Sequence, residues 1–173
     1  MKRFVFAAVA GLALFASACA SQPDPIVQPE PEPEQDRVVQ DTSPADQAPT
    51  PGSVEDFEVT AGDRVFYGYD QATLTSEARE TLRRQAAWLA SYPSTTVLLA
   101  GNADERGTRE YNLALGARRA NAARDFLVSQ GVDPARVQTV SYGKERPVCR
   151  ESTERCWSLN RNATTVIQSG STS

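Results

Sequence analysis

The chain has 173 residues, with 18 Lys and Arg against 22 Asp and Glu, a formal net charge of -4, and no histidine. That length holds one ordinary domain with extensions rather than two full domains. The charge balance excludes the broad basic surface of a general nucleic-acid binder, and the missing imidazole excludes any histidine base and most zinc sites.

The first segment reads as an export leader, residues 1–18. Lys2 and Arg3 open it, Phe4 to Phe15 is an unbroken run of apolar and small residues, and Ala16-Ser17-Ala18 precedes Cys19. Twelve such residues are too few for a permanent membrane span, which needs about 20. Two readings of the cleavage site compete. One is an ordinary signal-peptidase site with an incidental cysteine behind it. The other, preferred here, is a lipobox with Ala16 in place of the usual Leu, whose Cys19 thiol takes a diacylglyceryl group. Cysteine parity favours the second: if Cys149 and Cys156 pair, Cys19 is left over, and lipidation gives it a use. Two or more acyl chains make a stable anchor. Ala20 rather than Asp follows Cys19, which in bacterial lipoproteins favours sorting to the outer membrane.

From Cys19 to about Ser53 the chain reads as a linker. Eight of the eleven prolines lie here, with seven acids against the single base Arg37. Apolar residues are too sparse to offset the entropy of ordering, so a disordered stalk is expected. At about 3.1 Å per residue it could reach roughly 100 Å.

Residues 54–173 carry 15 acids and 15 bases and are long enough for a real core. Arg64-Val65-Phe66-Tyr67-Gly68-Tyr69 predicts a strand. Thr75 or Ser76 caps a helix to about Ser91, with Ala78, Leu82, Ala86 and Leu89 on one face. Thr95 to Ala100 is a second strand, Glu110 to Gln130 a second helix, Arg136 to Tyr142 a third strand and Ala163 to Gln168 a fourth. A loop with room for a short helix precedes the last strand. The expected fold is α+β, ordered β-α-β-α-β-β, with one mixed sheet and helices packed on one face.

Between the second strand and second helix lies Gly101-Asn102-Ala103-Asp104-Glu105-Arg106-Gly107-Thr108-Arg109-Glu110-Tyr111-Asn112, followed shortly by Leu115-Gly116-Ala117-Arg118-Arg119-Ala120-Asn121-Ala122. The pattern G-x-A-D-E-R-G-T-R-E-Y-N-x-x-L-G-x-R-R-A-N-A resembles the signature of the OmpA-like domain family, in its peptidoglycan-associated lipoprotein branch. Val140 to Pro147 and Asn160-Arg161-x-Ala163 match further family segments, and the resemblance spans about residues 60 to 168.

The resemblance implies non-covalent binding of peptidoglycan through diaminopimelate, whose end carries an ammonium and a carboxylate on one carbon. It also implies work in the Tol–Pal system with the propeller protein TolB, and no enzymatic activity, metal or cofactor. The family's aspartate falls on Asp104, which would take the ammonium. Its arginine falls on Arg119, which would clamp the carboxylate as a planar bidentate donor. Helical spacing supports Arg119 over Arg118. With Leu113, Ala120, Ala123 and Leu127 as the apolar stripe, Arg119 lies at its edge and Arg118 points away. Asn112, Gly116 and Arg119 share that edge, and Gly116 is expected to leave room for a ligand. Replacing Asp104 or Arg119 should then abolish wall binding and preserve the fold.

Asp70, Asn112 and Arg161 are weaker ligand candidates, and for Arg161 a structural ion pair is an equal reading. Glu105, Arg106 and Arg109 read as a solvated loop network or a partner surface, Gly107 as a turn residue and Tyr111 as core. Three positions depart from the family pattern: Asn102 stands for the common His, Gly68 for an acid, and Asn162 for a second Arg. Cys149 and Cys156 flank a short loop and are expected to form a disulfide in an oxidising compartment, with a redox role as the alternative. Two rival functions remain: a wall-cleaving glycosidase using Asp104 with Glu105 or Glu110, and a partner-binding module without wall binding.

Overall fold

A computed structural model describes residues 48–172. The expected leader, Cys19 and residues 19–47 of the expected linker lie outside the described residues.

The described chain opens on a helix that the hydrophobic pattern did not announce, α1 (Val54–Thr60). Its signal was local: Ser53 accepts the Asp56 N–H at 3.1 Å, satisfying one of the first-turn donors. Phe57 on α1 is buried edge-on against the Trp88 ring, 5.0 Å between centroids. The Asp56 carboxylate accepts from Trp88 Nε1 and from the Gly52 N–H, tying the start of the domain to its second helix.

Strand β1 (Arg64–Phe66) stops three residues sooner than expected. Tyr67 still donates its N–H to the Arg161 carbonyl, but the chain then turns, with Gln71 N–H bonded to the Gly68 carbonyl and Asp70 at φ 56°. The other elements follow the expected order. They are α2 (Ser76–Ser91), β2 (Thr96–Asn102), α3 (Arg109–Ser129), β3 (Val137–Gly143), a short α4 (Glu154–Asn160) and β4 (Asn162–Ser169). Thr75 caps α2 and Thr108 caps α3 through their hydroxyls. Among the described residues no helix is long and apolar enough to cross a membrane.

The four strands form one mixed sheet in the order β1-β4-β2-β3. β2 and β3 are parallel, joined by the α3 crossover, and β4 runs antiparallel to both β1 and β2. The register lines Val97 up with Ile167 and Val137, Leu99 with Thr165, and Gly101 with Ala163. These side chains share the face that meets Leu82 and Leu89 of α2 and Ala120, Ala123 and Leu127 of α3, all buried.

α3 settles on the sheet in a register that composition alone did not indicate. Its buried face runs through Asn112, Leu115, Gly116, Arg119, Ala120, Ala123 and Leu127, while Leu113 is only half-buried. Gly116 and Gly101 set this register. A β carbon at Gly101 would lie 1.9 Å from the Gly116 carbonyl oxygen, and one at Gly116 would lie 2.4 Å from Ser141 Oγ. Gly116 therefore admits the sheet and not a ligand, which corrects the expectation of free space there.

The directions of the strands gather four segments at one end of the sheet: the turn after β1, the loop after β2, the segment after β3 and the start of α4. The described chain begins at the other end, where the Thr172 N–H meets the Gly52 carbonyl and Thr95 Oγ1 donates to the Gly170 carbonyl.

Candidate functional site

The loop from Ala103 to Thr108 leaves β2 and starts α3, and its conformation is held by side chains from elsewhere. Ala103 donates its N–H to the Gly143 carbonyl at the end of β3. Lys144, the only lysine after Lys2, donates from Nζ to the carbonyls of Glu105 and Gly107 at 3.1 and 2.7 Å. Asn112 donates from Nδ2 to the Arg106 carbonyl at 2.8 Å. Gly107 takes φ 87°, the turn role expected of it. Trp157 on α4 donates from Nε1 to the Glu105 carboxylate at 3.0 Å.

This loop forms one wall of a cavity of about 230 Å³, lined by Tyr69, Asp70, Asp104, Arg106, Gly107, Tyr111, Asn112 and Leu115. Asp104 is the acid set deepest in it. Arg106 grips its carboxylate in a two-point contact, Nε to Oδ1 at 3.0 Å and Nη2 to Oδ2 at 2.7 Å, and adds its main-chain N–H to Oδ1 at 3.2 Å. Arg161 reaches the same carboxylate at 3.4 Å. Burial by itself raises the Asp104 pKa, but the hydrogen bonds from Arg106 and Arg161 outweigh it and hold the carboxyl below its ordinary range. Asp104 is therefore an anion at any pH near neutrality.

Arg119 is placed differently from the expected clamp. It is fully buried and is not among the residues lining the cavity. Its Nε donates to the Gln71 carbonyl at 2.8 Å, Nη1 to the Asn102 carbonyl at 2.7 Å and Nη2 to the Gly68 carbonyl at 3.1 Å. Each guanidinium nitrogen thus holds a main-chain oxygen. Tyr67 lies alongside, its ring centroid 5.3 Å from the guanidinium carbon and its hydroxyl donating to the Arg119 carbonyl. Burial lowers the Arg119 pKa to about 10, so the group remains a cation at neutral pH. Burial raises the Tyr67 phenol well above its ordinary value, with Arg119 opposing in part.

The weaker candidates separate. Asp70 lines the cavity and accepts a hydrogen bond from the Tyr111 hydroxyl, which raises the Tyr111 pKa. Tyr111 is half exposed on the rim and not in the core as expected. Asn112 lines the cavity, but its amide serves the loop. Arg161 is buried and joins Asp104 to Glu154 of α4, its Nη2 to Glu154 Oε1 at 2.6 Å. Arg109 pairs with Glu145 on the exterior.

Two of the three departures from the family pattern meet each other: Asn102 Nδ2 donates to Asn162 Oδ1 at 2.8 Å in a buried pair. The third, Gly68, offers its carbonyl to Arg119. Cys149 and Cys156 are disulfide-bonded, with their Cα atoms 5.0 Å apart. Asn160 fixes the same loop by accepting the N–H groups of Val148 and Cys149. The bridge thereby ties the segment after β3 to the α4 helix that carries Trp157 and Glu154. Tyr69, Leu115 and Trp157 were not singled out as site residues. The only signal for Tyr69 was an aromatic following Gly68, and Trp157 comes from 50 residues further along the chain. Among the described residues no cluster of three His, Cys, Asp or Glu side chains could hold a metal ion.

Comparison with known proteins gives the same frame. The OmpA family model matches residues 66–161. A protein of Agrobacterium fabrum named peptidoglycan-associated lipoprotein is 57% identical over 118 residues, covering 68% of this chain and 67% of its own. One of the same name from Mesorhizobium japonicum is 57% identical over 120 residues, covering 69% of this chain and 71% of its own. The crystal structure of the peptidoglycan-associated lipoprotein from Burkholderia pseudomallei matches with a TM-score of 0.60 at 42% identity, covering 61% of this chain and 90% of that one.

Proposed function

The chain belongs to the OmpA family, among its peptidoglycan-associated lipoproteins, and from that premise we propose that it binds the wall non-covalently through diaminopimelate and ties it to the outer membrane. The observation that carries this reading is the cavity itself. An aspartate kept ionised by its neighbours lines an open cavity beside a cation, which suits a ligand bearing both signs of charge. Asp104 takes the ammonium of the diaminopimelate end. Arg119 supports the pocket from behind, holding the Gly68–Gln71 turn and the end of β2 in place and adding a buried positive charge. Asp70 and Tyr111 shape the rim.

The placement of the cavity fits a tether. The described chain begins at the opposite end of β2 from Asp104, and a seven-residue strand spans about 23 Å. We propose the organisation read from the sequence: a leader over residues 1–18, lipidated Cys19 with a linker to 53, and a wall-binding domain over 54–173. The domain then works in the periplasm, anchored by lipid in the outer membrane, within the Tol–Pal system and with TolB as a partner. Mass spectrometry of the mature amino terminus tests the anchor, and co-purification with TolB tests the partner.

The group to which the chain belongs binds and does not catalyse, and the site agrees with that. A wall-cleaving pair requires one carboxyl with a raised pKa. Hydrogen bonds lower Glu105, from Ser152 and Trp157, and Asp104 is lowered as well. The decisive experiment is retention of the full chain on purified sacculi, with free diaminopimelate as competitor. Retention that diaminopimelate does not relieve would reject the reading.

A further inference from the structure

Resting on the wall-binding reading, we propose that Arg106 is the exchangeable cation of the pocket: it seals Asp104 in the free protein and moves to the ligand's carboxylate when the ligand's ammonium takes its place. Three arginines surround Asp104, and their bonding differs. Arg119 is fully buried on three main-chain carbonyls. Arg161 is buried between the Tyr67 carbonyl, Asp104 and Glu154. Arg106 alone of the three lines the cavity, with 31% of its side chain exposed against 7% for the carboxylate it covers. Its Nη1 has only a 3.8 Å approach to the exposed Glu154.

Its guanidinium is also built to pivot without leaving the site. The guanidinium carbon lies over two rings, 4.3 Å from the Tyr69 centroid and 4.0 Å from the Trp157 centroid. Aromatic faces hold a guanidinium by its charge and do not fix which edge points where. The donors can therefore turn from Asp104 to an arriving carboxylate while the cation stays stacked.

The exchange makes Arg106 a specificity-determining residue. A simple primary amine reaching Asp104 trades one cation for another and leaves the guanidinium unpaired, so it gains little. A ligand with ammonium and carboxylate on one carbon displaces the seal and rehouses it at once. The pocket thus selects a zwitterionic amino-acid end over a lone side-chain ammonium, through a penalty on the wrong ligand as well as an attraction to the right one.

The test is titration of the full chain with meso-diaminopimelate and with Nα-acetyl-lysine amide, which offers only an ammonium. Wild type should bind diaminopimelate in clear preference. Arg106→Gln should lose at least about tenfold in diaminopimelate affinity and bind the lysine derivative more tightly than wild type does, collapsing the preference. Arg106→Lys, which keeps charge but not the planar fork, should fall between them. Diaminopimelate should also change the tryptophan fluorescence, and Trp157→Phe should abolish that change. Arg106→Gln binding diaminopimelate as tightly as wild type, or more tightly, overturns the exchange and leaves the wall-binding reading standing. Failure of the wild type to bind either sacculi or diaminopimelate instead removes the reading beneath it.

Discussion

Replacing Arg119 by Met separates two accounts of the family arginine. Removal of the guanidinium takes a charged donor from the carbonyls of Gly68, Gln71 and Asn102; the Asn102 contact is buried, the other two are partly buried, and Gly68 keeps the Gln71 N–H. Hydrogen bonds to a charged donor each contribute about 1.5–3 kcal/mol, and the relief of burying a cation offsets part of the sum. A net loss of about 3–5 kcal/mol is expected, as when a buried charged contact is broken from one side. For a domain of this size each kcal/mol moves the melting temperature by about 4 °C, so Tm should fall by roughly 12–20 °C. Urea unfolding followed by tryptophan fluorescence and by far-UV circular dichroism measures the same quantity twice, since Trp88 sits in the core. Arg119→Lys, a cation that cannot span three carbonyls, should recover only part of the stability. If Arg119→Met unfolds within about 1 kcal/mol of wild type yet loses sacculus binding, the guanidinium is free to serve a ligand and the reasoning fails.

Asp104→Asn keeps the shape of the site and removes the charge; sacculus retention should fall at least about thirtyfold, the lower end of what loss of a buried charged partner costs. Tm should fall as well, because buried Arg161 and Arg106 lose their shared anion, while far-UV circular dichroism stays that of the folded domain. Retention should be flat from about pH 5 to 8, because the chain has no histidine to titrate there. The folded Asp104 pKa is depressed, so the stability it confers is complete above the unfolded value of about 3.9 and is lost as pH falls through the lower folded value. Wall binding that collapses near pH 6 would contradict this assignment. Gly101→Ala should destabilise by more than the usual 1–3 kcal/mol of overpacking, because the clash is with the α3 backbone. Differential scanning calorimetry reads it directly, and a Tm equal to wild type would show that the α3–sheet contact is looser than described.

Much of the fold was legible because its signals are local. The cap at Thr75 and the buried positions Ala78, Leu82, Ala86 and Leu89 follow from spacing and from hydrogen-bond needs at helix ends. The helix at Val54–Thr60 was missed because seven residues with one buried side chain carry almost no periodic signal; the Ser53-x-x-Asp56 cap was the only trace. In the candidate site, the sequence pointed to Asp104, which lines the cavity and whose loop lies within one contiguous motif. Its surroundings were not legible. Trp157 and Glu154 approach Arg106 from about 50 residues further along the chain, and Lys144, just after β3, reaches the carbonyls on either side of it.

What the amino-acid order determined alone is the order of the four strands and the two long helices, the loop that carries Asp104, and the pairing of Cys149 with Cys156. Only the tertiary structure decided which arginine lines the cavity. A helical wheel ranks side chains by hydrophobicity, and by that measure Arg119 sits at an edge. Its burial depends on carbonyls from the turn after β1 and the end of β2, brought within reach when Gly101 and Gly116 let α3 settle on the sheet. A buried cation needs acceptors converging from distant segments, and no periodicity along one helix encodes where those will be.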